Sequence, residues 1–420
     1  MDKFIIEGGR DLKGVVDISG SKNAALPLLA ATLLMEGRCV LKNVPDLRDI
    51  RTMAALLGEL GVEVKRDGAN LHCRTSGAAN TEAPYDLVRQ MRASFCVLGP
   101  LVAKRKTARV SLPGGCVIGL RPIDLHIKGL GALGAKITVE HGYVIAEADR
   151  LKGTEIYLGG PFGSTVTGTA NVMTAAVLAE GTTTIINAAC EPEVRDLANF
   201  LNAMGAAISG IGSPRLTIEG VERLEGCEYE IIPDRIEAGT FLMASVLTGG
   251  DIGLRNVRLD HLNAVVDKLS QVGVRVFRDG DTVRASAPSR PSATDVTTLP
   301  YPGFPTDLQA QLTAVLSVAD GISVVTEKIY PDRFMHVAEL NRMGAKIRKE
   351  GPTSIIVGTD SLSGAQVMAS DLRASAALVL AGLAARGTTE VLRVYHIDRG
   401  YEGIEEKFRT LGARITRAVE

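Results

Sequence analysis

The sequence predicts an α/β protein of two domains, built from six βαβαββ-like repeats in which buried helices are surrounded by sheets. Three observations predict it. An apolar residue followed by glycine and then alanine or valine ends a helical pattern six times, at Gly61, Gly134, Gly205, Gly273, Gly344 and Gly412. These glycines recur every 68 to 73 residues along a chain of 420, the mark of a repeat architecture. Each repeat also contains a helical stretch that is apolar nearly all round, and such a helix must be buried on every side.

The elements of a repeat follow in a fixed order. The apolar helix comes first, as in Ala24–Met35, Ala170–Ala179, Gly239–Leu247, Leu308–Val318 and Ala374–Ala385. A short strand follows, as in Cys39–Lys42, Thr183–Asn187 and Ser323–Thr326. An amphipathic helix then runs to the signal glycine, as in Asp49–Leu60, Pro122–Leu133 and Glu193–Met204, and the glycine takes the left-handed position just past the helix end. Two alternating strands close the unit, as in Lys136–Val139 with Tyr143–Glu147 and Arg275–Arg278 with Thr282–Ala285. Asp67-Gly68 and Asp279-Gly280 stand where hairpin turns belong.

The sixth repeat stops one strand short. The N-terminal pattern Ile6-Glu-Gly8, Leu12-Lys-Gly14 matches Ile218-Glu-Gly220, Leu224-Glu-Gly226 and also Val357-Gly358, Leu362-Ser-Gly364. Residues 1–20 are therefore expected to complete the C-terminal lobe, with 21–229 forming the first lobe and 230–420 the second. Two chain crossings, near residues 20 and 230, suit a hinge and a cleft that closes.

Composition narrows the function. A length of 420 residues exceeds one ordinary core, and 45% hydrophobic with 23% charged residues is usual for a globular protein. A net charge of −1 argues against a general nucleic-acid or membrane-surface partner. No basic segment followed by an apolar run opens the chain, and the longest apolar runs fall short of the roughly 18 residues a membrane span needs. A cytoplasmic protein is expected. Six cysteines without a CxxC pair suit reduced thiols and offer no metal site. No Walker or dinucleotide fingerprint is present, so no cofactor is expected.

Polar residues recur at matched positions. Eight cations (Lys22, Arg48, Arg92, Arg121, Arg235, Arg333, Arg373 and Arg399) are expected at helix starts, the wrong sign for stabilising a helix dipole. As a set they suit binding of a multiply charged anion, with Asp234, Asp307 and Asp371 among them. Some would instead pair locally, as Arg373 with Asp371 or Arg235 with Asp234. Cys116 lies in a loop with Gly114, Gly115 and Gly119, followed by Arg121 and then Pro122 at a first helical position. A cation beside a thiol lowers its pKa. These residues alone also fit a glycine turn around a small buried cysteine.

Ordered motifs then carry a resemblance. They are Gly20-Ser-Lys-Asn-Ala-Ala25, Met91-Arg-Ala-Ser94, Leu112-Pro-Gly-Gly-Cys116, Arg121-Pro-Ile-Asp-Leu-His126, Phe304-Pro-Thr-Asp-Leu-Gln-Ala-Gln311, Arg333-Phe-Met-His336, Asp371-Leu-Arg-Ala-Ser375 and Tyr395-His-Ile-Asp-Arg-Gly-Tyr401. Across essentially its full length the chain resembles the UDP-N-acetylglucosamine 1-carboxyvinyltransferases, the enolpyruvyl transferases of peptidoglycan synthesis. The resemblance implies two inside-out α/β barrels with helices at the core. It also implies transfer of the enolpyruvyl group of phosphoenolpyruvate to the 3′-hydroxyl of UDP-N-acetylglucosamine by addition and elimination, with phosphate leaving.

Carried over by position, Cys116 corresponds to the general acid, and Lys22, Arg92, Arg121 and Arg399 to the cations around phosphate and carboxylate. Asn23 falls beside the sugar, and Asp307 at the 3′-hydroxyl. Arg48 is a further cation, and Arg121, Pro122, Ile123, Asp124 and Leu125 form the nucleotide-holding segment. Arg333, Asp371 and Arg373 complete the polar wall, and Ile329 matches a backbone contact to the sugar nucleotide. Gly160-Pro-Phe-Gly-Ser164, with Phe162 and Gly163, aligns with the diphosphate loop but is one residue short and lacks a lysine, so its backbone is the part expected to act. Asp307, read as a helix N-cap, is expected to have a low pKa and to accept the hydroxyl proton late. His126 and His396 are expected to be structural, and Cys39, Cys73, Cys96, Cys190 and Cys227 to be core or surface thiols. Asp124 in a first helical turn also suits plain dipole stabilisation. A fosfomycin-type epoxide is expected to alkylate Cys116. The nearest rival is transfer to shikimate 3-phosphate; a sliding DNA clamp is more distant.

Overall fold

A computed structural model of the chain describes residues 2–75, 80–113 and 123–419. Of these, residues from Gly20 to Ile232 form one compact unit, and those up to Ser19 together with those from Pro233 onward form the other.

The Gly20–Ile232 unit carries three four-stranded sheets of one design. In spatial order they are Glu82–Ala83, Thr107–Ser111, Tyr143–Glu147, Lys136–Glu140; then Glu155–Tyr157, Thr182–Ile186, Arg215–Glu219, Ala207–Ser209; and Glu228–Glu230, Arg38–Lys42, Asn70–Thr75, Val62–Asp67. The first strand of each sheet pairs in parallel, and every other pairing is antiparallel. That first strand arrives from the preceding repeat, so the sheets link into a ring, which Glu228–Glu230 closes against Arg38–Lys42. The helices Lys22–Ala31 and Val166–Ala176 belong to the core.

The other unit repeats the pattern. Its sheets are Lys13–Asp17, Asp251–Arg255, Thr282–Ser286, Arg275–Asp279; then Val296–Thr298, Ile322–Glu327, Thr353–Val357, Lys346–Glu350; and Gln366–Met368, Thr388–Leu392, Asp2–Glu7, Arg414–Val419. The N-terminal strand Asp2–Glu7 fills the third position of the last sheet, with Ile6 opposite both Thr389 and Ile415. The buried helices are Arg235–Thr248, Gln309–Leu316 and Leu372–Ala384.

Sequence explains the local choices. All six signal glycines have positive φ, between 82° and 104°, a conformation costly for any residue with a Cβ. Hydroxyls inside the buried helices bond back one turn, as Thr240 to the Ile236 carbonyl at 2.8 Å and Thr313 to the Gln309 carbonyl at 2.9 Å, so burial leaves them satisfied. At Gly239 a Cβ would lie 2.4 Å from Leu308 Cδ1; the glycine lets two helical segments pack closely. Each Leu or Val wholly withdrawn from water contributes about 1.5–3 kcal/mol. Such residues line both cores.

Two expectations need revision. The helix predicted as Pro122–Leu133 is observed as Asp124–Ala132, and Pro122 lies outside the described residues. Arg399 does not start a helix. It ends the 3-10 turn Val394–Arg399, and the next helix waits until Ile404, because Gly403, at φ 51°, breaks the continuity.

Candidate active site

In the Gly20–Ile232 unit, Lys22 is the first residue of a buried helix. Ser21 caps that helix by accepting from the Ala24 amide at 3.3 Å. An ammonium at a helix N-terminus is opposed by the dipole. Asp49 offsets that: its Oδ2 lies 3.2 Å from Lys22 Nζ, and both side chains are almost wholly buried. Asp49 occupies the first turn of Arg48–Glu59 on the same face as Met53 and Leu57, so a carboxylate stands where the helical period calls for an apolar residue. That break in the pattern is a signal the sequence reading passed over. Asn23 is half-buried and Arg48 is exposed at the head of its helix.

Arg92 opens the 3-10 turn Arg92–Val97, which packs against the Lys22 helix. It lies close enough to His126 to disfavour a charged imidazole, and burial does so more strongly, so the His126 pKa is lowered to about 3. The Asn171 amide is oriented by Gly99 N–H, which donates to its Oδ1 at 2.9 Å. Asn171 Nδ2 therefore faces His126 Nδ1 at 2.8 Å as donor, which leaves Nε2–H to donate to Thr167 Oγ1 at 3.2 Å. His126 is a neutral strut.

The segment Gly159–Ser164 forms a small hairpin, Gly159–Gly160 against Gly163–Ser164, with Phe162 exposed at its turn. It leads into the helix Val166–Ala176, where Thr165 accepts from the Gly168 amide at 3.2 Å. A Cβ on Gly160 would sit 3.1 Å from Leu125 Cδ1, so hairpin and Leu125 share one surface. Gly163 thus stands just ahead of a helix N-terminus, the end that favours phosphate, and Leu125 lies beside Gly160 of the same hairpin. Ile123 is half-buried and Asp124 exposed. Cys116, Arg121 and Pro122 lie outside the described residues.

In the other unit Asp307 is the centre. It lies inside the 3-10 turn Thr306–Leu308, and the helix that follows starts at Gln309 without a side-chain cap, so the N-cap reading of Asp307 is corrected. Two guanidiniums claim its carboxylate instead: Arg333 Nη1 is 2.8 Å from Oδ1 and Arg373 Nη2 is 3.3 Å from Oδ2. Charge-assisted bonds of this kind outweigh a bond to a neutral amide. Capping falls to Asp371, which accepts from the Arg373 and Ala374 amides, and to Asp234, which accepts from the Ile236 and Glu237 amides. The side chain of Arg373 thus pairs with Asp307, while only its amide meets the Asp371 carboxylate.

Both arginines are buried. Burial works against the Arg373 charge, but Tyr401, Asp307 and Asp234 outweigh it and its pKa is raised. For Arg333, burial is likewise outweighed by Asp307 and Asp371. Nη1 of Arg373 is buried with no acceptor among the described residues, a donor that an anionic or carbonyl ligand could take up.

Glu327 was missed by the sequence reading. It is wholly buried at the end of strand Ile322–Glu327, on the inward face with Ser323 and Val325, where period two could have flagged a buried carboxylate. Its Oε1 accepts from Thr298 Oγ1 at 2.7 Å and from the amides of Ile329 and Tyr330 at 2.8 and 3.0 Å. Its Oε2 accepts from Thr306 Oγ1 at 2.9 Å, and Thr306 in turn accepts from Arg333. Because Glu327 holds the Ile329 amide, the carbonyl is the backbone group Ile329 can offer a ligand. Arg399 ends a turn packed on the Leu372–Ala384 helix.

The linked sheets around buried helices match a known class. Residues 6–408 match the sequence model of the family described as EPSP synthase (3-phosphoshikimate 1-carboxyvinyltransferase), and the chain belongs to that family. Its closer resemblance within it is to proteins named UDP-N-acetylglucosamine 1-carboxyvinyltransferase. The one from Desulfosudis oleivorans is 57% identical over 417 residues, 99% of both chains, and the one from Methylacidiphilum infernorum is 56% identical over the same length and share. Among solved structures, the enolpyruvyl transferase NikO from Streptomyces tendae superposes with a TM-score of 0.91 at 25% identity, covering 100% of this chain and 99% of its own. EPSP synthase from Acinetobacter baumannii shares the fold, with a TM-score of 0.76 at 18% identity and full coverage of both chains.

Proposed function

We propose that this chain transfers the enolpyruvyl group of phosphoenolpyruvate to the 3′-hydroxyl of UDP-N-acetylglucosamine, releasing inorganic phosphate. The observation that carries the reading is 57% identity along the whole length to a relative of that name. The reading places the enzyme in the cytoplasm at the first committed step of peptidoglycan synthesis and makes it a target of fosfomycin-type epoxides.

In the addition step a proton reaches the methylene carbon of phosphoenolpyruvate while the sugar oxygen bonds to C2 and loses its own proton. In the elimination step the C–O bond to phosphate breaks and a methyl proton leaves, restoring the double bond. Cys116 is assigned as the donor to the methylene carbon. Lys22, Arg92, Arg121 and Arg399 hold the phosphate and carboxylate, where fixed cations stabilise charge without reorganising. Asp307, aligned by Arg333 and Arg373, takes the hydroxyl as hydrogen-bond partner. Leu125, Phe162 and Gly163 border the diphosphate, and Asn23, Ile329, Asp371 and Arg48 hold the rest of the sugar nucleotide.

The family description favours one rival acceptor, shikimate 3-phosphate. The purified chain is mixed with phosphoenolpyruvate and each acceptor in turn, and phosphate is measured. Release with the UDP-sugar alone is expected; release with shikimate 3-phosphate alone would overturn the reading.

A further inference from the structure

Three thiols lie in one row across a single sheet of the Gly20–Ile232 unit. Cys39 on strand Arg38–Lys42 stands directly opposite Cys73 on Asn70–Thr75. On its other side the strand runs parallel to Glu228–Glu230 with Val40 beside Glu228, so Cys227, one residue earlier, is level with Cys39. The Val40 amide bonds the Cys227 carbonyl at 2.9 Å, which fixes that register. Cys39 and Cys73 are buried and Cys227 is half-buried, packed against the same core. All three are free thiols, and the proposed reaction uses none of them.

We infer that Cys227 and Cys39 form a peroxide-sensitive thiol pair that closes to a disulfide between the strands Glu228–Glu230 and Arg38–Lys42. Neighbouring strands run about 4.8 Å apart, within the roughly 4.4–6.8 Å that a disulfide spans between Cα atoms. Cys73 satisfies the spacing as well, so the choice rests on access: Cys227 is half-buried, whereas Cys73 is buried. The neighbouring Cys39 thiol lowers the Cys227 pKa, against the opposing effect of burial. Cys73 is deeply buried, which pushes its thiol up to about 12. Cys227 is therefore the sulfur that meets an oxidant, and Cys39 the one level with it on the adjoining strand.

The chemistry balances with a hydroperoxide as oxidant. The Cys227 thiolate attacks a peroxide oxygen; an S–O bond forms, the O–O bond breaks, and hydroxide leaves and is protonated to water. Cys39 sulfur then attacks the sulfenic sulfur; the S–S bond forms, the S–O bond breaks, and the Cys39 proton leaves with hydroxide as a second water. Two thiols are oxidised and one peroxide is reduced.

The test treats the full chain with hydrogen peroxide, alkylates residual thiols and maps peptides without reductant, which separates any oxidation of Cys116 onto its own peptide. A Cys39–Cys227 linked peptide, a loss of two alkylatable thiols from that row and full reversal by dithiothreitol are expected. Cys227→Ser should reduce the linked peptide to background, while Cys73→Ser should leave it. A Cys39–Cys73 link, or Cys227 oxidised to sulfinic acid with Cys39 still alkylatable, would overturn the inference; the wild-type map decides even if a variant fails to fold.

Discussion

Arg333 Nη1 lies 2.8 Å from Asp307 Oδ1, and this contact ties a partly exposed carboxylate to a buried cation. With Arg373 on the second oxygen, both carboxylate oxygens face positive charge. Such a carboxylate is held in one orientation by two charge-assisted contacts. In the proposed reaction it orients the acceptor hydroxyl.

Asp307→Asn keeps the shape and removes the charge. Turnover is expected to fall by a factor on the order of 10²–10⁴, the usual range for a positioned acid or base, with a smaller change in sugar-nucleotide KM. Steady-state phosphate release checks it. Near-wild-type turnover would remove Asp307 from proton transfer.

Lys22 and Asp49 form a buried pair in the Gly20–Ile232 unit. Removing one partner of such a pair typically costs about 3–5 kcal/mol because the other charge is left uncompensated. Asp49→Ala is expected to lower unfolding stability by an amount of that order and to raise the KM for phosphoenolpyruvate, since it frees Lys22 to move. Urea melts and initial rates read the two effects separately. Unchanged values in both would show that Asp49 neither balances nor places the lysine.

The repeat was legible because each unit restates the same signals: a glycine that only the left-handed turn requires, and helices with no polar face. Even the displaced strand was legible, since Ile6-Glu-Gly8 repeats a pattern found at Ile218 and Val357, and Asp2–Glu7 pairs with Thr388–Leu392 and Arg414–Val419. The placement of charged residues at helix starts was legible, as at Lys22 and Arg373. It was not legible where the deciding contact is tertiary. Nothing local tells that Asp307 meets arginines 26 and 66 residues away rather than the next helix. Glu327 and the row Cys227–Cys39–Cys73 depend on strand pairings between distant segments.

Stability is expected to fall with acid before the carboxylates titrate. Burial, reinforced by Arg92, lowers His126 from 6.5 to about 3. Burial also dominates at His336, with Asp371 opposing and Arg333 assisting, and its value falls to about 4. Both are neutral in the folded chain while the unfolded chain takes up protons below pH 6.5. Their contribution is therefore complete above that pH and is lost as pH falls toward their folded values, at up to about 1.4 kcal/mol per pH unit for each histidine. Urea midpoints between pH 7 and 4.5 measure the slope. His126→Gln should flatten it, and an unchanged slope would assign the acid sensitivity elsewhere.

The reactive thiol is the last test, and the other cysteines make it sharp. Burial pushes Cys73 and Cys96 up to about 12, so near pH 7.5 only about one molecule in 10⁴ carries either thiolate. Cys39 is raised in the same direction by the neighbouring Cys227 and by burial, and Cys190 is raised by burial. The competitor for an epoxide is Cys227, whose pKa is lowered and whose side chain is half-buried. The two differ in their response to substrate. Alkylation at Cys116 by a fosfomycin-type epoxide is expected to accelerate when UDP-N-acetylglucosamine is present, as substrate-induced closure of an active site would make it. Alkylation at Cys227 should be indifferent to it. Cys116→Asp is expected to keep a proton donor and measurable turnover while losing sensitivity to the epoxide. Peptide mapping that finds the substrate-dependent label on Cys227, or turnover of Cys116→Asp that remains epoxide-sensitive, would move the reactive role away from Cys116.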